Sequence, residues 1–585
     1  MSQDKRRFLR DSFDATLKQN PVFGLTVVIA VVVGALINTW PSLVLRQIVD
    51  ESLPNGGLDI WRLGFTYLGF TLLIGVVDLS REYGATVFGQ HLLLNIRKLM
   101  LDRLSLLPMS YYNTIPAGDT ISRFTGDIDA IDSLFTAGLI SAIADLLKIV
   151  GFLLAIYTIS VPIGVIATCS LPVLYLVTNY FRKNMYEKQL AVRRKVSDIN
   201  TSIHETYTGM KIIKIFGMEN YFAERFEPIL DTHRLAMNSN AVYVSWFPCV
   251  TQTIRAVFIS AALVFGATNS GLPIALGLSL GTLAALTDLM IRLFTPISAV
   301  SGEIQTIQRA LAGVQRVENF FSEEVQMNEA GTHVTDDLPE GVEVVIDDVS
   351  FSYDGPVVLN GASLVIPAGT KAAIAGRTGS GKTTLMNLVA GLYSVDHGKV
   401  TVGGVDPFEL PAEERRRLMG IVPQTIHIFN SSVHDNVTLR DESISREQVE
   451  MTLDTVGLLD VVNALPEGLD TFIGEGSQQL SFGQTQLLSL ARAIVTDPPL
   501  LLLDELTSGL DALTERNVLA AIRGVSEGRS ILTISHRLSG IIDAEMVHIM
   551  DRGRIMESGS PEELVDKGGW YSIYKNIEDR GWKMV

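Results

Sequence analysis

At 585 residues the chain is too long for one compact domain, and 47% hydrophobic with 19% charged residues fits a lipid-buried part joined to a water-soluble one. The net charge of −17 excludes a surface built to neutralise nucleic-acid phosphates. Only two cysteines, Cys169 and Cys249, are present, both in apolar stretches, which excludes a disulfide framework or a Cys-rich zinc site.

Residues 1–20 are polar and basic (Lys5, Arg6, Arg7, Arg10, Lys18), and no small-residue cleavage site follows the first apolar run. That run is expected to stay as a spanning helix rather than leave as a signal peptide. Apolar runs near 21–41, 60–80, 134–157, 160–181, 241–268 and 278–302 each approach the roughly 20 residues that cross a hydrocarbon core. Ser160-Val161-Pro162 leaves room only for a tight hairpin between the third and fourth. Basic residues crowd the N-terminus, the 81–125 segment (Arg81, Arg97, Lys98, Arg103, Arg123) and the 182–234 segment (Arg182, Lys183, Lys188, Arg193, Arg194, Lys195, Lys211, Lys214). The stretches near 42–59 and 269–277 hold only Arg46. The positive-inside rule therefore places both termini and the long polar segments in the cytosol. Those segments are too long for plain loops. They predict helices that run past the membrane and turn near Asn113–Asp119 and Glu205–Gly209, on short transverse pieces or as ordinary loop turns.

Ionisable residues interrupt the apolar runs: Asp145 and Lys148 in the third, Arg255 in the fifth, Asp288 and Arg292 in the sixth. Each is costly against lipid and must face a partner or a water-filled cavity. Asp145/Lys148 at i,i+3 and Asp288/Arg292 at i,i+4 are spaced to neutralise one another along a helix face, or else to line a substrate pathway. Arg255 has no such local partner and is the stronger pathway candidate.

A polar, acidic stretch from Ser322 to Glu340 reads as a linker. It divides the chain into a cytosolic segment 1–20, an all-α membrane domain 21–321, the linker 322–340 and a soluble α/β domain 341–585. Alternation in Val342–Ile346 and Val349–Phe351 predicts two strands. Tyr353 is an aromatic suited to stacking on a purine, or simply a surface tyrosine. Gly376-Arg377-Thr378-Gly379-Ser380-Gly381-Lys382-Thr383-Thr384 fits G-x-x-x-x-G-K-[ST], between the apolar run Thr370–Ala375 and an expected helix at Leu385–Gly391. The glycines let backbone N–H groups curl around nucleotide phosphates, Lys382 reaches the terminal phosphates, and the Thr383 hydroxyl can hold Mg²⁺. Gln424, after the strand Gly420–Pro423, is placed to reach Mg²⁺ or an attacking water. The run Leu500–Leu503 before Asp504-Glu505 suits a central parallel strand buried on both faces, with its acids at the end where ligands bind. Asp504 is the candidate Mg²⁺ ligand and Glu505 the candidate general base. His536, after the apolar strand Ile531–Ile534, is placed either to meet the γ-phosphate or to make a structural hydrogen bond.

Leu480-Ser481-Phe482-Gly483-Gln484 resembles the signature motif of ABC ATPases, and Ser508-Gly509-Leu510-Asp511 resembles their D-loop. Together with the phosphate loop, Gln424, Asp504-Glu505 and His536, these stand in ABC order and spacing. The whole chain is similar to an exporter-type ABC half-transporter: six spanning helices, then one P-loop ATPase domain. Gly118–Arg123 with Asp127, and Glu205, Gly209 and Lys214, resemble segments that bracket the family's coupling helices. The resemblance implies that two chains close around two ATP molecules, each held by the phosphate loop of one half and by Ser481, Gly483 and Gln484 of the other. Closure then turns the bundle outward and hydrolysis resets it, which requires that ATP bind the closed state better than the open one.

One departure is Phe482, where the family has glycine, because a Phe side chain hinders close approach. In heterodimeric relatives the half that keeps the catalytic glutamate often carries the altered signature. A heterodimer is therefore expected, with a homodimer as the alternative. The readings are ATP-driven export of an amphipathic or lipid-like molecule, a drug or a peptide; import of siderophore-like cargo on the same scaffold; or a nucleotide-gated channel or regulatory ATPase. Glu505 argues against the last, since a regulator needs no positioned base. With so little chain ahead of the first span, no peptidase domain is expected. A multi-pass protein of a bacterial inner membrane, partnered by a second half-transporter and by the bilayer, is the expected setting.

Overall fold

The structure is a computed structural model that describes residues 7–53, 59–268, 279–326, 340–353, 355–474, 480–506, 510–535 and 543–579. It divides into two compact units, one of residues 1–105 with 117–323, the other of residues 106–116 with 324–585.

Among the described residues of the first unit six helices are long and apolar enough to cross a membrane: Pro21–Ser52, Ile60–Ser105, Ala117–Ile159, Val161–Thr208, Glu219–Phe265 and one that begins at Leu280. The last runs unbroken to Ser322. The second helix has 46 residues. At 1.5 Å per residue it is about 70 Å long, more than twice the hydrocarbon thickness, so the expected extensions are continuous helix. Large apolar side chains such as Leu25, Ile29, Leu36, Leu72, Val76 and Leu79 stand exposed, as lipid-facing positions must. Inside, Phe152, Ile156, Ile163, Leu174, Leu286, Leu289 and Leu293 close into one buried cluster. The chain breaks at Ser160, whose extended backbone ends one helix and caps the next, giving the tight hairpin.

The stretch near 42–59, read as a loop, is helical as far as Ser52, with one wide π turn at Ile48–Ser52. Asp50 explains the extension. Its carboxylate accepts hydrogen bonds from the Ser279 hydroxyl and, at 2.8 Å, from Gly281 N–H, so the first helix is tied to the start of the sixth. At the other end of the unit, Asp127 is buried and takes a forked pair of bonds from Arg316, with Nε at 2.9 Å from both oxygens. The first expected turn, Asn113–Asp119, holds a break at Ile115-Pro116 between the short helices Met109–Thr114 and Ala117–Ser122. The second, Glu205–Gly209, is the end of the long helix Val161–Thr208, and the short helix Met210–Phe216, closed by left-handed Gly217, follows it.

The second unit carries, in chain order, β1 (Val344–Ser352), β2 (Val357–Ile366), β3 (Lys371–Ala375), β4 (His397–Val402), β5 (Met419–Val422), β6 (Ser431–Ser432), β7 (Phe472–Ile473), β8 (Leu500–Asp504), β9 (Ser530–Ile534), β10 (Met546–Asp551) and β11 (Arg554–Gly559). The two strands expected over Val342–Phe351 are the single strand β1. Register shifts between Ile346 and Val349 interrupt the alternation without ending the strand. The main sheet runs β11-β10-β3-β9-β8-β5 and a smaller antiparallel sheet β2-β1-β4. Strands β10, β3, β9, β8 and β5 are parallel. Leu500 and Leu502 join the core on one face of the main sheet, and Leu501 and Leu503 the core on the other. That two-sided burial is why β8 is apolar throughout. The C-terminal ends of β3, β8 and β9 lie side by side, and the candidate site grows from them.

Candidate nucleotide site

The phosphate loop leaves β3 at Gly376 and enters the helix Lys382–Val389. At Gly376 an added Cβ would lie 2.1 Å from the carbonyl oxygen of Met550, and Gly381 holds φ of +105° with Leu359 2.8 Å from where its Cβ would be. Both positions require glycine. Ser380 N–H donates to Arg377 O at 3.1 Å, and Ser380 O accepts from Gly553 N–H at 2.9 Å. Lys382 is buried and folds back onto the loop, its Nζ donating to Gly376 O at 2.9 Å and Arg377 O at 3.0 Å. Burial pulls its ammonium below the usual lysine range, against the opposing pull of Glu505 and Asp504. Arg377 turns its guanidinium over the Trp570 ring at 4.8 Å, a partner far along the chain that its place in the motif did not suggest. Thr378, Gly379 and Thr384 complete the loop and the helix start.

Asp504 ends β8 buried, with Oδ1 lacking any hydrogen-bond partner. Burial first, and the charge of Glu505 second, push its carboxyl up to about 6, while Lys382 and a hydrogen bond from Thr383 pull it down. An orphaned carboxylate oxygen beside a threonine hydroxyl is a hard-oxygen donor set that fits Mg²⁺, which binds through one or two protein oxygens together with substrate phosphates. Ser380 Oγ is a second buried polar atom without a partner.

Glu505 sits in the left-handed region at φ +49°. Its N–H donates to Ile534 O at 3.1 Å, and its carboxylate accepts from Gln424 Nε2 at 2.8 Å. Gln424 is therefore spent on orienting Glu505 in this conformation. Strain of this kind persists only where the surroundings hold it, and it clusters at working sites. His536, Ser508 and Gly509 lie outside the described residues; Ser535, at the end of β9, is buried.

Tyr353 packs edge-to-face on Phe351 (4.8 Å) and Tyr393 (5.1 Å). A cleft of about 400 Å³ beside it is lined by Ser110, Asn113, Tyr393, Asp396 and Phe408 among others, and Asn113 donates to the Tyr393 hydroxyl. Nothing in the linear sequence marked Tyr393 or its link to Asn113. The signature opens the helix Phe482–Ile494, with Ser481 and Gln484 in a reciprocal capping box: Gln484 N–H to Ser481 Oγ at 3.3 Å and Ser481 N–H to Gln484 Oε1 at 2.8 Å. Phe482 is 58% exposed, so the fold itself does not need its side chain. Gly483 is different, because a Cβ there would fall 2.1 Å from Thr514 Cγ2.

The membrane-domain charges form two knots. Lys148 lies 3.9 Å from Asp145 and 3.6 Å from Asp78, which ties a second helix to the expected pair. Arg292 Nε donates to Asp288 at 2.9 Å, and Ser42 donates to the same oxygen at 2.6 Å. Arg255 has no ion-pair or hydrogen-bond partner among the described residues.

The profile described as ABC transporter transmembrane region matches residues 24–297, and that described as ABC transporter matches residues 359–508. A protein of Streptococcus pneumoniae named exp8, described as an ABC transporter ATP-binding protein, is 30% identical over 535 residues, 90% of each chain. The chain belongs to the ABC transporter family. An ATP-dependent lipid A-core flippase of Ralstonia nicotianae is 28% identical over 564 residues, 95% of this chain and 94% of that one. The structure of a bacterial Atm1-family ABC exporter with ATP bound superimposes with a TM-score of 0.78 at 21% identity, covering 98% of this chain and all of the other. This ABC protein is thus an exporter-type half-transporter, a multi-pass membrane protein whose ATP hydrolysis is coupled to transport.

Proposed function

We propose that the chain is one half of a heterodimeric exporter of an amphipathic, lipid-like, drug or peptide cargo, with both termini in the cytosol and in a bacterial inner membrane. The observation that carries the catalytic assignment is the strained, Gln424-held Glu505 at the exit of β8, beside Asp504 and Lys382. ATP is cradled by Gly376–Thr384, with Tyr353 against the adenine and Lys382 on the terminal phosphates. Thr383 and Asp504 would hold Mg²⁺, which would neutralise phosphate charge when bound. Glu505 accepts the proton of the attacking water, Gln424 keeps its carboxylate aimed, and His536 steadies the γ-phosphate. Closure brings Ser481, Gly483 and Gln484 to the ATP of the partner half. Segments 1–20, 21–321, 322–340 and 341–585 serve as cytosolic lead, membrane domain, linker and motor. Unpartnered Arg255 is the best pathway candidate, ahead of the two knots at Asp145/Lys148 and Asp288/Arg292.

The exposed Phe482 ring at the first turn of the signature helix supports the heterodimer. A bulky group on that face weakens the partner's ATP site without disturbing this chain's fold, and Glu505 serves the competent site. The test is to purify the chain alone and together with candidate partner halves. Full ATPase activity from a stable dimer of this chain alone would refute the heterodimer. Stimulation of ATPase by candidate cargoes in proteoliposomes, with Lys382→Ala as the silent control, tests transport.

A further inference from the structure

A cleft of about 440 Å³ in the first unit is lined by Met185, Tyr186, Gln189, Leu190, Arg193, Asn240, Gln308, Arg309 and Ala312. Three helices meet there, those of Val161–Thr208, Glu219–Phe265 and Leu280–Ser322. Its volume falls in the range of small-ligand sites. Two arginines from different helices enter it, and no acidic side chain lines it among the described residues. Among the described residues neither arginine has a carboxylate partner, and the hydrogen bond that Arg309 makes is to Thr306 Oγ1 at 3.2 Å. Asn240 Nδ2 donates to Gln189 Oε1 at 3.1 Å, which leaves Asn240 Oδ1 buried without a donor. The cleft therefore offers two cationic forks and an apolar wall of Met185, Leu190 and Ala312.

Its depth is set by the sequence. Asn240 directly precedes the fifth apolar run, and Met185–Arg193 lies within about 18 Å, along the helix, of the end of the fourth. The cleft therefore reaches from the cytosolic edge of the membrane, at Asn240, to below the headgroup layer at Arg193, in the orientation that the basic residues dictate.

We infer that this cleft is a loading site for a phosphate head, with Arg193 and Arg309 on the phosphate. Arginine suits the role because its planar fork meets phosphate oxygens in pairs. The inference rests on the exporter reading, whose cargo it narrows to an acidic amphiphile or its soluble head.

The test uses the full chain, alone or with its partner half, in phosphatidylcholine nanodiscs without nucleotide. Three probes are compared: lauroyl-lysophosphatidic acid, glycerol 3-phosphate as the free head, and 1-monolauroylglycerol as the chain without phosphate. Saturable binding of the lysophosphatidic acid is expected, about tenfold weaker in Arg193→Gln and in Arg309→Gln and largely kept in Arg193→Lys. Competition by glycerol 3-phosphate would assign the site to a soluble head, and its failure to compete would assign it to a lipid; either supports the phosphate site. Equal binding of monolauroylglycerol, no saturable binding, or unchanged affinity in both Gln variants with ATP affinity intact overturns it. Lys382→Ala should bind the probe as wild type does, so a failure of the ATPase reading would register separately.

Discussion

Gly483→Ala isolates one atom pair. The new Cβ would sit 2.1 Å from Thr514 Cγ2, well inside the 3.5–4.0 Å optimum for two carbons. Overpacking of this kind costs about 1–3 kcal/mol. Alanine returns at most about 1 kcal/mol in helix propensity, and less at the second position of the helix Phe482–Ile494. The clash wins, for a net loss of about 1–2 kcal/mol. Relief must come from Thr514, whose Oγ1 donates to Asp511 Oδ2 at 2.6 Å while Asp511 caps the helix Ala512–Val525. The displacement therefore disturbs the signature helix and the D-loop end together. Thr514→Ser removes the offending methyl and keeps that hydroxyl, at about 0.8 kcal/mol for the lost group. Gly483→Ala should lower the melting temperature of the detergent-solubilised chain by several degrees and depress ATPase, and adding Thr514→Ser should restore most of both. If the double variant melts and hydrolyses like Gly483→Ala alone, the clash is not with Thr514.

Glu505→Gln should cut steady-state ATP hydrolysis by about 10²–10⁴-fold while labelled ATP still binds; an unchanged rate would remove Glu505 as the base. Asp504→Asn should raise the melting temperature of the nucleotide-free chain at pH 7.5, since a carboxyl held up to about 6 is charged there against its surroundings, and should abolish the further stabilisation by Mg²⁺ with ATP. His548 is buried in β10 and burial holds it down to about 4, below the usual 6.5. The fold thus favours the neutral ring, so its contribution is intact above pH 6.5 and drains away as pH falls toward 4. Melting curves across that window should flatten in His548→Gln, and an identical pH slope in the variant would discount the histidine. Asp127→Asn, which unmakes the forked bond to Arg316, should destabilise the first unit by about 2 kcal/mol, less than a fully buried pair would lose because Arg316 is half exposed; equal protease resistance of the two proteins would refute it.

The sequence by itself determined the spans, the phosphate loop, the acids at the end of β8 and the family, because each is written in neighbouring residues. A spanning helix needs an unbroken apolar run, a phosphate cradle needs glycines at fixed offsets, and a central parallel strand needs apolar residues on both faces. Sequence reading failed where a distant contact overrode the local pattern. Asp50 draws residues 42–52 into helix by bonding the start of the sixth span, and a bulge keeps Val344–Ser352 one strand although its alternation breaks. Tertiary structure alone decided that Gln424 holds Glu505 across 81 residues of chain and that Thr514 walls in Gly483. It alone assembled Arg193, Asn240 and Arg309 around one cleft. Side chains far apart in sequence meet only where packed helices and strand ends leave them no other neighbour, and no local spacing encodes that.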